Sequence, residues 1–126
     1  MNRNYFLKTR ILDGGMGQML LAKGLEPKGS LWSATALVDK KYHQLVIDAH
    51  LDFIKSGAEV IITNNFSARR TRMAQNNVED YFDYANEKAG ELAVKAKEIS
   101  KKDIFIAGSL PGQNDTYVLD KRDKKI

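Results

Sequence analysis

Apolar residues along this chain alternate between short unbroken runs and longer stretches with helical spacing. Arg10-Ile11-Leu12 is a short run stopped by Asp13-Gly14-Gly15, which predicts a buried strand ending in a loop. Two short helical pieces follow: one over 16–22 closed by Gly24, the other over 34–38 with Ser33 as its N-cap. A longer helix is predicted over 41–56. Tyr42, Leu45, Val46, Ala49, Phe53 and Ile54 share one face, Lys41, Gln44, Asp48, Asp52 and Lys55 take the other, and Gly57 stops it. Val60-Ile61-Ile62-Thr63 is β-branched without alternation, the mark of a strand covered on both faces. Asn77 is placed to cap a helix whose stripe of Val78, Tyr81, Phe82, Ala85, Ala89, Leu92, Ala93, Ala96 and Ile99 runs to about Ser100. Ile104-Phe105-Ile106-Ala107 is the third buried strand, ending at Gly108-Ser109.

The order β, α, β, α, β predicts an α/β fold with parallel strands and right-handed crossovers. Polar and glycine residues gather after each strand: Asp13-Gly14-Gly15, Thr63-Asn64-Asn65 and Ser109-Leu110-Pro111-Gly112. Parallel α/β folds bind ligands at the carboxyl ends of their strands, so these clusters are expected to share one rim. The pattern alone fits both a small open α/β domain and the first part of a larger barrel.

Composition narrows the class. The 126 residues are 43% hydrophobic and 29% charged, which excludes a disordered chain. No apolar run approaches the roughly 20 residues of a membrane span, and no secretory h-region follows Met1, so a cytoplasmic protein is expected. The sequence holds no cysteine, which removes disulfides, thiolate nucleophiles and cysteine-ligated metals from this chain's own repertoire. The net charge of +4 owes half its value to a basic tail at 119–126, expected to be disordered, so neither nucleic acid nor membrane is expected as a partner. Arg69-Arg70-Thr71-Arg72 reads as the solvated start of a helix, with an anion-contacting loop as the alternative.

Four ordered blocks carry a resemblance: Ile11-Leu12-Asp13-Gly14-Gly15-Met16-Gly17, Leu31-Trp32-Ser33-Ala34, the stretch from His50 to Asn64, and Ala107-Gly108-Ser109. At matching spacing up to about Pro111, they resemble the homocysteine S-methyltransferase family. The resemblance implies a (β/α)8 TIM barrel, with this chain supplying its first three β/α units, incomplete as given. It also implies transfer of a methyl group from a small donor to the thiol of homocysteine, giving methionine. Zinc is the implied cofactor, lowering the thiol pKa. In the family its ligands are cysteines of later strands, so none of them is expected here. Gln18-Met19 where Thr-Glu is usual, Asn65 where Thr is common, and Leu110-Pro111-Gly112 in place of a Gly-Pro ending bear on donor preference more than on fold.

The resemblance implies that Asp13 accepts a hydrogen bond from the homocysteine ammonium; as a plain loop residue it would close an Asx turn. Gly14 and Gly15 permit φ > 0 and close backbone approach, so their N–H groups can meet the substrate carboxylate. Trp32 is expected to wall the pocket near the donor methyl, and as a structural residue to staple onto Leu37. Thr63 and Asn64 sit where side chains at a strand end reach a ligand or tie a loop. His50 is expected as a satisfied core histidine and His43 at the surface. Two further classes of function remain open: a complete small α/β enzyme of another kind, and an assembly module that associates through exposed sheet edges.

Overall fold

The structure, a computed structural model, describes residues 2–112. The tail expected at 119–126 lies outside the described residues.

Strands β1 (Val60–Ile62) and β2 (Phe105–Ala107) are parallel, with Val60 opposite Phe105, Ile61 opposite Ile106 and Ile62 opposite Ala107. The segment ending at Asp13 lies on the other side of β1. Leu12 forms a parallel bridge to Val60, Glu59 N–H donates to the Ile11 carbonyl at 2.8 Å, and Asp13 N–H donates to the Val60 carbonyl at 3.0 Å. Spatial order therefore follows chain order. Glu59 fixes the register of this first segment with its side chain: one oxygen accepts Ile11 N–H and the other meets Arg10, both at 2.9 Å.

The expectation of a buried first strand needs correcting. Among the described residues only a single bridge forms there, and Ile11 and Leu12 are 57% and 55% exposed. An unbroken apolar run signals that both faces seek cover; among the described residues only β1 flanks it. Val60 and Ile61 are buried as predicted, and Ile62 is half-buried.

Helices α1 (Met16–Ala22), α2 (Thr35–Val38), α3 (His43–Lys55), α4 (Arg70–Gln75) and α5 (Phe82–Ser100) form the outer layer. The most extensive helix–helix packing is between α3 and α5. Ala85, Ala89, Ala93 and Ala96 are fully buried along one face of α5, and their small side chains allow a close backbone approach. A short 3-10 turn, Lys40–Tyr42, leads into α3 and is capped by Asp39, whose carboxylate accepts Lys41 N–H at 3.2 Å. Gly57, at φ +108°, turns the chain from α3 toward β1, a conformation that disfavours any side chain. No helix among the described residues is long and apolar enough to cross a membrane.

Three local signals resolve differently from expectation. Ser33 does not cap α2: it lies in a 3-10 stretch, Gly29–Ala34, and Ala34 occupies the cap position with no side-chain bond. Asn77 does not cap α5 but adopts φ +58°, and a 3-10 turn at Glu79–Tyr81 precedes the helix. The arginine cluster does start a helix, α4, yet Arg69 at its N-cap is only 3% exposed instead of solvated. The long connection before α2 is folded back on the body. Asn76 donates to Ser30 Oγ at 2.8 Å, Arg72 to the Ser30 carbonyl at 2.9 Å, and Lys28 N–H to Thr35 Oγ1 at 3.0 Å.

Candidate functional site

The carboxyl ends of the three parallel segments open on one cleft of about 340 Å³. Asp13, Gly14, Trp32, Thr63 and Asn64 line it together, with Gly17, Phe66 and Ser109 among the other walls. Gly15 is not in that lining; it is the N-cap of α1, at φ −68°.

Asp13 follows the bridged residue of the first segment, so its side chain is aimed by the sheet. Its Oδ2 accepts Ile62 N–H at 2.7 Å, a bond that fixes the carboxylate against β1. Burial raises its pKa above the ordinary aspartate range, opposed by the bonds to Ile62 N–H and to its own N–H. A desolvated carboxylate with one oxygen already anchored is prepared for a cationic partner at the other.

The glycines act through space and not through positive φ, contrary to the expectation for Gly14 and Gly15; the positive-φ glycines are Gly24, Gly29 and Gly57. A Cβ on Gly14 would sit 3.0 Å from Phe53 Cε1, and one on Gly17 would run into Trp32 Nε1. The role of Gly17 carries no local sequence signal, because its neighbour in space is fifteen positions away in the chain.

Trp32 is 41% exposed and held at φ 52°, ψ −128°, a region that glycine populates and bulky residues avoid. Asn64, which is buried, donates through Nδ2 to the Ser33 carbonyl at 3.1 Å and so holds the loop that carries Trp32. Thr63 is engaged in the same way: its Oγ1 donates to Asn65 Oδ1 at 2.7 Å and accepts Ser109 N–H at 3.1 Å. Asn65 in turn donates to Asn86 Oδ1 at 2.9 Å and to the Ser109 carbonyl at 3.2 Å. Asn86 reaches the Ala68 carbonyl at 3.1 Å, so one amide network ties the ends of β1 and β2 to α5. Both strand-end residues thus face the cleft while their polar atoms meet protein partners.

Neither histidine belongs to this site. His43 Nε2 lies 2.9 Å from the Leu37 carbonyl. His50 is fully buried on α3, and neither ring nitrogen has a hydrogen-bond partner among the described residues, so it is a core histidine but not a satisfied one. Burial pushes its pKa down to about 4. With no cysteine in the sequence, and no group of three His, Asp or Glu brought together among the described residues, the residues here do not fit a zinc site.

The Homocysteine S-methyltransferase family profile matches residues 10–125. A homocysteine S-methyltransferase of Escherichia coli (strain K12) is 32% identical over 117 residues, spanning 87% of this chain and 37% of that protein. A selenocysteine methyltransferase of Astragalus bisulcatus is 24% identical over 133 residues, covering 90% of this chain and 38% of the relative. In structure, the metallated form of the E. coli homocysteine methyltransferase MmuM superposes with a TM-score of 0.72 at 31% identity, over 86% of this chain and 40% of the other. The chain therefore spans about two fifths of these relatives. By sequence profile, identity and fold alike, this chain belongs to the homocysteine S-methyltransferase family.

Proposed function

We propose that these residues form the homocysteine-holding wall of a (β/α)8 barrel that transfers a methyl group to the homocysteine thiol. The observation that carries this reading is Asp13: half-buried, anchored on one oxygen by Ile62 N–H, and opening on the cleft that Trp32, Thr63 and Asn64 share. Its carboxylate accepts from the substrate ammonium. Backbone N–H groups of Gly14 and Gly15 meet the substrate carboxylate. Trp32 walls the side from which the donor methyl arrives. In the transfer the thiol gives up its proton, a new S–C bond forms to the methyl, and the methyl's bond to the donor breaks. Zinc supplies thiol activation in the family reading. No residue here fits it, and its binding is assigned to no part of this chain.

The test is substrate affinity. Asp13→Asn keeps the acceptor for Ile62 N–H but removes a charge-assisted bond worth roughly 1.5–3 kcal/mol. Homocysteine affinity is expected to fall about ten- to a hundredfold by calorimetric titration. Unchanged affinity would leave Asp13 as a residue that only anchors β1.

A further inference from the structure

At the end of the sheet opposite the cleft, the residue that ties the three parallel segments together is Glu59, which directly precedes β1. Its N–H donates to the Ile11 carbonyl at 2.8 Å, and its carbonyl accepts Phe105 N–H at 2.9 Å. Its side chain returns to the first segment, where Oε2 accepts Ile11 N–H at 2.9 Å. Further along, the direction reverses: Asp13 Oδ2 accepts Ile62 N–H at 2.7 Å. The segment from Ile11 to Asp13 is thus held to β1 by a carboxylate at each end, one reaching in and one reaching out.

These two bonds supplement a short ladder. Among the described residues the segment makes a single bridge, Leu12 to Val60, with backbone bonds at Ile11 and Asp13 on either side. A register specified over so few residues is open to slippage. One residue of slip would turn Asp13 to the opposite face, and two would carry it about 6.6 Å along the strand. Either movement takes its carboxylate out of the cleft.

Glu59 is itself braced. Its Oε1 meets Arg10 Nη1 at 2.9 Å. Arg10 Nε donates to the Tyr5 carbonyl at 2.8 Å, and its guanidinium lies 3.8 Å from the Tyr5 ring centre. Tyr5 belongs to a 3-10 turn, Arg3–Leu7, and packs edge-on against Phe105, the first residue of β2, with ring centres 4.2 Å apart. The brace therefore closes a circuit from β1 through the first segment to β2. Ile11 N–H and Arg10 hold the Glu59 carboxyl below the usual glutamate range, so it is charged at neutral pH.

We propose that Glu59 is a positioning residue for Asp13: from the amino end of β1 it sets the register of the first segment, and through that register the place of the second Asp13 oxygen at the cleft. The consequence for homocysteine rests on the methyl-transfer reading, in which that oxygen meets the substrate ammonium. The role requires reach more than charge, because the acceptor for Ile11 N–H must stand a full glutamate side chain away from the β1 backbone.

Substitutions in the 126-residue chain separate reach from charge. Glu59→Gln keeps the length and an acceptor oxygen; Glu59→Asp keeps the charge and falls one methylene short. Leu92→Ala, a core lesion on α5, loosens the fold without touching the clamp. The Ile62 amide proton and the Asp13 carboxyl carbon, followed together through an acid titration by NMR, report the bond between them. Calorimetry reads homocysteine affinity. Glu59→Asp is expected to uncouple the Ile62 signal from the Asp13 titration and to weaken homocysteine about tenfold. Glu59→Gln is expected to keep the coupling and to stay within about threefold of the parent. Leu92→Ala is expected to lower Tm alone. An Ile62 signal that stays coupled in Glu59→Asp, or that uncouples equally in Leu92→Ala, overturns the proposal. Uncoupling with unchanged homocysteine affinity, or no homocysteine binding by the parent, overturns the methyl-transfer reading of Asp13 instead; the Ile62 signal then decides the Glu59 proposal by itself.

Discussion

At the scale of single residues, the site depends on one side chain in an unfavourable backbone conformation. Trp32 at φ 52°, ψ −128° carries a strain on the order of 1–3 kcal/mol, held in place by the Asn64 bond to the Ser33 carbonyl. Its indole is seated against Gly17, where a methyl group would collide with Nε1. Gly17→Ala is therefore expected to displace the indole and leave the helical core intact. The measurable outcome is a red-shifted Trp32 emission with unchanged far-ultraviolet dichroism; an unshifted spectrum would mean that the ring tolerates the methyl. The sequence made Asp13 legible, because an acid between a short apolar run and two glycines marks a strand end. Gly17 and Arg69 were not legible. One is defined by a contact fifteen positions away, and the other is a charged residue whose burial is decided by tertiary packing alone.

At the scale of elements, α3 followed its periodicity to within two residues and α5 ended where expected at Ser100 but began four residues late, at Phe82; the alanine stripe of α5 and the apolar face of α3 are buried as their spacing predicts. Signals that rest on a single polar residue did worse. Ser33 and Asn77 both have cap chemistry, but the 3-10 turns ahead of α2 and α5 moved each helix start past them. His50, on the buried face of α3, gives this layer a pH dependence. Above pH 6.5 the ring is neutral in both the folded and unfolded chain and costs nothing in proton uptake. As pH falls from 6.5 toward about 4, the unfolded chain takes up a proton that the folded one refuses, so stability declines. With the ring fully buried, the full loss is about 3 kcal/mol. Asp13 acts in the opposite direction, since its raised pKa lets the folded state protonate first as pH falls. His50→Leu should isolate the histidine: urea unfolding at pH 7 and at pH 4.5 is expected to show a smaller drop in the variant than in the parent. An identical drop in both would assign the acid sensitivity elsewhere.

At the scale of the whole molecule, the two layers are finished to different degrees. Leu20, Leu37, Val46 and Met73 in the helical layer are fully buried, while Ile11 and Leu12 on the first strand segment are more than half exposed, as are Phe6 and Leu7. Parallel order was legible in the alternation of runs. The exposure of the first run was not, because an apolar pattern states what a strand needs and not what the chain supplies. Exposed apolar side chains beside a strand segment whose outer edge is unpaired among the described residues favour association with another copy. Size-exclusion chromatography over a concentration series is expected to show self-association of the 126-residue chain, reduced in Leu12→Lys. A concentration-independent monomer would rule out that edge as an adhesive surface.

The same difference between layers has a consequence for what holds the rim in place. Contacts between α3 and α5 span tens of residues, as the strand pairings do, but the alanine face that joins them is closed. The first strand segment adds the Glu59 side chain to its few backbone bonds to keep its alignment. The helices thus act as a jig: they hold the carboxyl ends of the strands at one rim, so the ligand-facing surface of the inner layer is carried by the outer one.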